Sequence, residues 1–212
     1  MGINYNQLEK INEYLKNFPS AKLQIVTKNR DTEVIKDLID KGYRIFGENK
    51  VQEANKKYKN LEIEDLDLHL IGPLQTNKVR PALELFNAIQ SIDREKLVKE
   101  IIKVQNKFKT KTSNFFIQVN IGEEEQKSGV FPEDLEYLYD FCIKNSLNIS
   151  GLMCIPPFDK YAKNYFDKLR SLRDKLNPNL KLSMGMSDDY KISLECGSNL
   201  IRIGSKIFSW KN

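Results

Sequence analysis

Eight short apolar runs, each followed by a longer stretch with helical spacing, limit the fold of this chain more than any other feature. The runs are LQIVTK (23–28), YRIFGEN (43–49), DLHLIG (67–72), AIQSID (88–93), NFFIQVN (114–120), ISGLMC (149–154), KLSMGMS (181–187) and NLIRIGS (199–205). Most are rich in β-branched and aromatic residues and nearly continuous in apolar character, as strands buried on both faces are. Between them lie the helical stretches DTEVIKDLIDKG, VQEANKKYKN, DREKLVKEIIKVQNKF, PEDLEYLYDFCIKN and YAKNYFDKLRSLRDKL, the first reading as capped by Asp31 and stopped by Gly42. Such alternation implies right-handed βαβ units and a parallel sheet. Eight units in 212 residues fit a closed (β/α)8 barrel better than an open sheet. The amphipathic opening helix, around residues 5–17, is expected to replace the helix missing after the last strand, and residues 1–212 read as one domain.

Composition narrows the function classes. With 40% apolar and 10% aromatic residues the chain is not intrinsically disordered. No apolar stretch is long enough to span a bilayer, and MGINYNQLEKINEYL lacks the pattern of a secretory signal. Asn6 stands where an acylation motif beginning at Gly2 needs Ser or Thr. A cytoplasmic protein is expected, monomeric and without a membrane partner. Cys142, Cys154 and Cys196 have neither metal-ligand spacing nor a disulfide framework and read as small core hydrophobes. With His69 the single histidine, no cluster of histidines can bind a metal, and a histidine-activated nucleophile is disfavoured. The net charge of +5 is spread among Asp and Glu; NKFKTKTSN is the one compact basic run and reads as a solvated loop rather than a nucleic-acid patch.

In a barrel of this kind chemistry gathers at the C-terminal ends of the strands, and alternate residues point inward. Reading each run backward from its end gives an inward set of Lys28, Asn49, His69, Asn120, Ser187 and Arg202. The last two runs end in Ser187 and in Gly204–Ser205, at the strands whose loops recurrently cradle phosphate through backbone N–H groups and a hydroxyl. With a phosphate in the mouth, Lys28 becomes a candidate amine nucleophile toward a carbonyl. The compound that joins an aldehyde to a phosphate at a suitable distance is pyridoxal 5'-phosphate. Arg202 could then meet the pyridine nitrogen, and a guanidinium, which cannot accept a proton, would hold that nitrogen unprotonated and weaken the ring as an electron sink. Structural readings stand beside these: His69 as a satisfied core residue, Asn120 as a strand-end turn residue, Met186 as packing, and EEEQKSG as a solvated loop or a mobile cover.

The stretches VTKNR, FGENKVQE, HLIGPLQTNK, QVNIGEEEQKSG, GLMCIPP, LSMGMSDD and IRIGSKIF run nearly end to end through the chain. In order and content they resemble the pyridoxal phosphate homeostasis family, built on an alanine-racemase-like barrel. The resemblance implies Lys28 as the Schiff-base lysine, Ser187, Gly204 and Ser205 as phosphate ligands, Arg202 at the pyridine nitrogen, and Asn49 and His69 in the pocket lining. Thr27, Leu68 and Ser209 depart from the usual pattern without removing a cofactor contact. The resemblance implies a carrier in vitamin B6 balance, supplying pyridoxal phosphate to apo-enzymes, with no catalytic residues of its own. The alternative is an amino-acid racemase or related enzyme on the same barrel. A racemase needs a second proton-transfer group on the opposite face, which in the resembling racemases is a tyrosine brought by an additional C-terminal β-domain and a partner subunit. This sequence stops at Asn212, just past its last strand, so the carrier is the expectation.

Overall fold

The computed structural model of the chain describes residues 2–61 and 63–209. It opens with β1 (Gly2–Ile3) and α1 (Tyr5–Leu15), then alternates β2 (Lys22–Val26), α2 (Thr32–Asp40), β3 (Ile45–Glu48), α3 (Val51–Tyr58), β4 (Asp67–Leu70) and α4 (Val79–Leu85). It continues through β5 (Ala88–Ile92), α5 (Glu95–Gln105), β6 (Asn114–Val119), α6 (Leu135–Lys144) and β7 (Ile149–Cys154). The last part is α7 (Ala162–Leu176), β8 (Lys181–Ser183), α8 (Tyr190–Glu195), β9 (Leu200–Ile203) and β10 (Phe208–Ser209). Strands β2 to β9 form a closed barrel in chain order, and β9 returns to β2 with Gln24 opposite Arg202. The eight expected strands are thus the eight barrel strands. The spacing of apolar residues does not reveal α4 or α8, because helices this short hold too few turns for a period to register.

The slot left without a crossover helix after β9 is filled by α1. Its Leu8 and Ile11 are buried, Tyr5 donates a hydrogen bond to Asp37 in α2, and Tyr14 packs edge-on against Tyr190 in α8 with ring centres 6.0 Å apart. The backbone pair β1–β10 ties the two ends of the described chain together. One cap differs from expectation: Asp31 precedes α2 but makes no capping hydrogen bond, whereas Asn4 caps α1 through the Gln7 N–H at 3.0 Å. The three cysteines are buried and unpaired, and burial pushes the Cys154 thiol up to about 12. Among the described residues no helix is long and apolar enough to cross a membrane.

Several strands end sooner than the apolar runs do. The clearest case is β8, which ends at Ser183 because the chain turns at Gly185 with φ +94°, pressed so closely on α8 that a Cβ there would lie 1.9 Å from Ser193 Oγ. Ser187, like Lys28, Asn49 and Gly204, therefore sits on a loop just beyond a strand end rather than within the strand.

Because α1 is a wall of the barrel, Ile11→Ala should lower unfolding stability by about 2–5 kcal/mol, the usual cost of emptying a filled core site. Replacing the exposed neighbour Lys10 by Ala should change it by no more than about 0.5 kcal/mol. Urea unfolding midpoints of the two variants make the comparison.

Candidate functional site at the barrel mouth

The inward-facing residues stack in layers. At the N-terminal ends of the strands a cavity of about 210 Å³ is lined by Lys22, Asp67, His69, Asn114, Ser150 and Lys181, among others. At the C-terminal ends a cavity of about 460 Å³ is lined by Lys28, Asn49, Gln118, Ser187, Arg202 and Gly204, with Ser205 and Met186 beside them. A more open hollow of about 640 Å³ runs along α1, but only solvated residues of that helix and its end line it.

Six of the seven expected contacts, Lys28, Asn49, Ser187, Arg202, Gly204 and Ser205, converge on the mouth; His69 does not. Its ring sits near the opposite end of the barrel, with Nε2 2.9 Å from Asp67 Oδ1 and Nδ1 2.7 Å from Gln90 Nε2. The run DLHLIG carries on three residues beyond His69, and Ile71, two residues on, reaches the mouth in its place. Asn120, also expected to face inward, instead closes a turn: its amide donates to the Glu124 carbonyl at 2.8 Å and accepts the Glu124 N–H at 3.2 Å. The strand position two residues before it, Gln118, supplies the cavity residue, and its amide holds the Ser128 carbonyl at 3.1 Å. That bond pins EEEQKSG along the rim, where Lys127 and Ser128 line the cavity. Met186 lines the cavity as well.

Lys28 is exposed at the end of the first barrel strand, and the structure anchors its two neighbours rather than the lysine itself. Thr27 Oγ1 donates to the buried Glu48 Oε1 at 2.7 Å and lies 2.6 Å from the Tyr58 hydroxyl. Lys57 Nζ reaches the Thr27 carbonyl at 2.7 Å, Glu48 at 3.0 Å and Glu53 at 2.5 Å. Burial pushes the Glu48 carboxyl above its ordinary value, against the pull of Lys57 and Thr27. On the other side, Asn29 has φ +57° and donates its N–H to Glu53 at 2.5 Å. Burial opposes ionisation of Glu53, but the hydrogen bonds from Lys57 and Asn29 outweigh it and hold its carboxyl below the usual range. The sequence gives no sign of this cluster, since its five side chains, Thr27, Glu48, Glu53, Lys57 and Tyr58, come from a strand end, the next strand and two turns of α3.

The loops after β8 and β9 meet at Ser187. Ser205 Oγ donates to Ser187 Oγ at 3.0 Å, the Lys206 N–H reaches the same oxygen at 3.3 Å, and Lys206 Nζ holds the Ser187 carbonyl at 3.1 Å. Gly204 lets the chain pass over β2, where a Cβ would stand 3.2 Å from the Val26 carbonyl. Lys206 was not singled out from the sequence, although it directly follows the Gly–Ser pair.

Arg202 is 3% exposed and lines the cavity floor. Nη1 donates to Ser183 Oγ at 2.8 Å and Nη2 to the Cys154 carbonyl at 2.7 Å. Burial lowers its pKa, and among the described residues no carboxylate lies within ion-pair distance of it. The floor of the mouth is thus a buried cation with unspent donors, the walls carry hydroxyls and backbone N–H groups, and the rim carries a free amine. This donor set matches an elongated ligand with an anionic end, an electron-rich nitrogen and an electrophilic carbon.

The family described as alanine racemase, N-terminal domain, matches residues 4–210, which take in every barrel strand and every residue of the mouth. The fold class is also that of the alanine racemase structure from Oenococcus oeni, with a TM-score of 0.73 at 18% identity over 96% of this chain and 62% of that one. More similar is PipY of Synechococcus elongatus PCC7942, solved with PLP bound: TM-score 0.84 and 31% identity, covering 96% of this chain and 99% of that one. A protein from Aquifex aeolicus named pyridoxal phosphate homeostasis protein is 40% identical over 198 residues, 89% of this chain and 86% of the relative. Its namesake in Escherichia coli K12 is 34% identical, covering 88% and 84%. Within the racemase-type barrels, the chain belongs to the pyridoxal phosphate homeostasis protein family.

The left-handed backbone at Asn29 gives a test of how the Lys28 turn is held. Asn29→Val should cost about 1–2 kcal/mol of stability, because a β-branched residue resists positive φ, while Asn29→Gly should be close to neutral. Chemical unfolding of both variants would reveal the difference.

Proposed function

We propose that the protein is a cytoplasmic carrier that binds pyridoxal 5'-phosphate in the barrel mouth and supplies it to apo-enzymes. The observation that carries this reading is the convergence of Lys28, the Ser187–Gly204–Ser205 cradle and the buried Arg202 on one cavity. The names of the relatives and the PLP-bound PipY structure support it.

Pyridoxal phosphate, when bound, supplies an aldehyde that combines with amines and a ring that withdraws electrons from what is attached to it. The residues of this chain set what it can do. Ser187 and Ser205 offer hydroxyls, and Lys206 an N–H, to the phosphate. Lys28 presents its amine to the aldehyde carbon from a turn fixed on both sides. Arg202 would donate to the ring nitrogen and, unable to give up its own proton, would leave that nitrogen unprotonated and the ring a weak electron sink. Asn49 completes the wall of the cavity.

These features support holding over turnover. Racemisation needs a proton-transfer group on each face of the ring, and among the described residues lining the cavity no tyrosine or histidine stands opposite Lys28. Lys127, the other amine on the rim, is paired with Glu124.

Protein loaded with pyridoxal phosphate should show the absorption band of the amine-bound cofactor, displaced from that of the free aldehyde, and Lys28→Ala should lose the band while keeping its melting temperature. An unchanged band in that variant would transfer the role to another lysine. For activity, loaded protein incubated with L-alanine in deuterated water should take up deuterium at the α-carbon far more slowly than about 1 per second, a rate ordinary for enzymes, while still restoring activity to an apo-enzyme. Racemisation at enzymatic rates would make the protein a racemase.

A further inference from the structure

The barrel interior below the mouth is polar rather than apolar, and its hydrogen bonds can be directed in only one way. A guanidinium has donors and no acceptor, so the 2.8 Å contact makes Ser183 Oγ the acceptor from Arg202 Nη1. The single proton of Ser183 must then go to Gln90 Oε1, 2.6 Å away. This fixes the Gln90 amide with its nitrogen on the far side, where Nε2 spends its two protons on Gln24 Oε1 at 3.2 Å and His69 Nδ1 at 2.7 Å. His69 Nδ1 is therefore the bare nitrogen, and the ring proton sits on Nε2, donated to Asp67. Gln24 is held in turn by its own amide on the Phe46 carbonyl at 3.1 Å. Gln24, Gln90, Ser183 and Arg202 are each no more than 3% exposed, so water cannot substitute for a lost partner without entering the barrel.

We infer that Gln90 is a positioning residue for Arg202: through Ser183 it aims the guanidinium at the ring nitrogen of the ligand in the mouth. The inference rests on the proposed binding of pyridoxal phosphate and adds a determinant of how its ring is recognised. With Oε1 engaged, Gln90 keeps the Ser183 proton away from Arg202 and leaves a lone pair facing Nη1. The Cys154 carbonyl holds Nη2 from another side, so the plane of the guanidinium is set by two fixed oxygens and its remaining N–H groups are presented to the cavity. His69 and Gln24 determine which way round the Gln90 amide lies. The histidine that sequence reasoning assigned to the cofactor thus acts three hydrogen bonds away from Arg202, through the Gln90 amide and Ser183.

The test compares binding of pyridoxal 5'-phosphate with binding of its carbocyclic analogue, in which C–H replaces the ring nitrogen, by fluorescence titration. A merely structural defect would weaken both ligands alike; a misplaced Arg202 weakens only the preference between them. The wild-type protein should prefer the pyridine compound by about 10- to 100-fold, the size expected of a hydrogen bond to a charged group. In Gln90→Leu the preference should shrink to within about threefold while the analogue binds as before. Ser183→Ala should do the same, Ser183→Thr should retain the preference, and the double variant should lose no more than Ser183→Ala alone. Should Gln90→Leu fail to fold, the smaller Ser183→Ala change carries the test. A full wild-type preference in both Gln90→Leu and Ser183→Ala, or in Ser183→Ala alone if the other does not fold, would overturn the inference and leave the carrier reading intact. A wild-type protein that binds neither compound would overturn the carrier reading itself, and equal wild-type affinity for both would remove Arg202 from the ring nitrogen and Gln90's role with it.

Discussion

A buried guanidinium with no carboxylate within ion-pair distance among the described residues must be held by neutral oxygens, and the interior of this barrel is arranged around that requirement. Arg202 gives one nitrogen to Ser183 and another to the Cys154 carbonyl. Ser183 can accept only because Gln90 takes its proton. Gln90 in turn is oriented by Gln24 and His69. Replacing any of these by an apolar residue leaves a buried polar group without a partner, at a cost of about 1–3 kcal/mol. The column therefore links stability to recognition: the same bonds that satisfy the core keep a cation at the floor of the mouth.

Around that floor the site is assembled from loops that the barrel only positions. The two hydroxyl-bearing loops after β8 and β9 meet because neighbouring strands bring them side by side, and Gly204 lets one cross β2. The lysine turn is held from outside by Glu48, Glu53, Lys57 and Tyr58. Fixing the neighbours of Lys28 while its amine has no ion-pair partner among the described residues would suit the proposed carrier, which must both capture its ligand and release it. A firmly paired lysine would have to break an ion pair in each cycle.

Much of this was legible in the chain. Eight apolar runs predicted eight parallel strands, and counting back from the run ends found Lys28, Asn49, Ser187, Arg202, Gly204 and Ser205, all at the mouth. The same count failed at His69 and Asn120. For His69 the run continues three residues further, and Ile71, two residues on, occupies the mouth level. For Asn120 the parity was right, but the side chain found partners in its own turn before it could face the cavity.

The sequence by itself determined the closed barrel, the order of its strands and the residue types at their C-terminal ends, because strand length, apolar continuity and turn residues are local properties of the chain. Tertiary structure alone decided the level at which each side chain enters the barrel and the direction of each hydrogen bond inside it. Those depend on the register between strands far apart in sequence, such as Gln24 opposite Arg202. They depend as well on chains of donors and acceptors in which one residue's orientation is set by the next. Gln24, Gln90 and Ser183 look like unremarkable polar interruptions in three apolar strands until closure of the barrel brings them together, and only then does Arg202 acquire the partners that aim it.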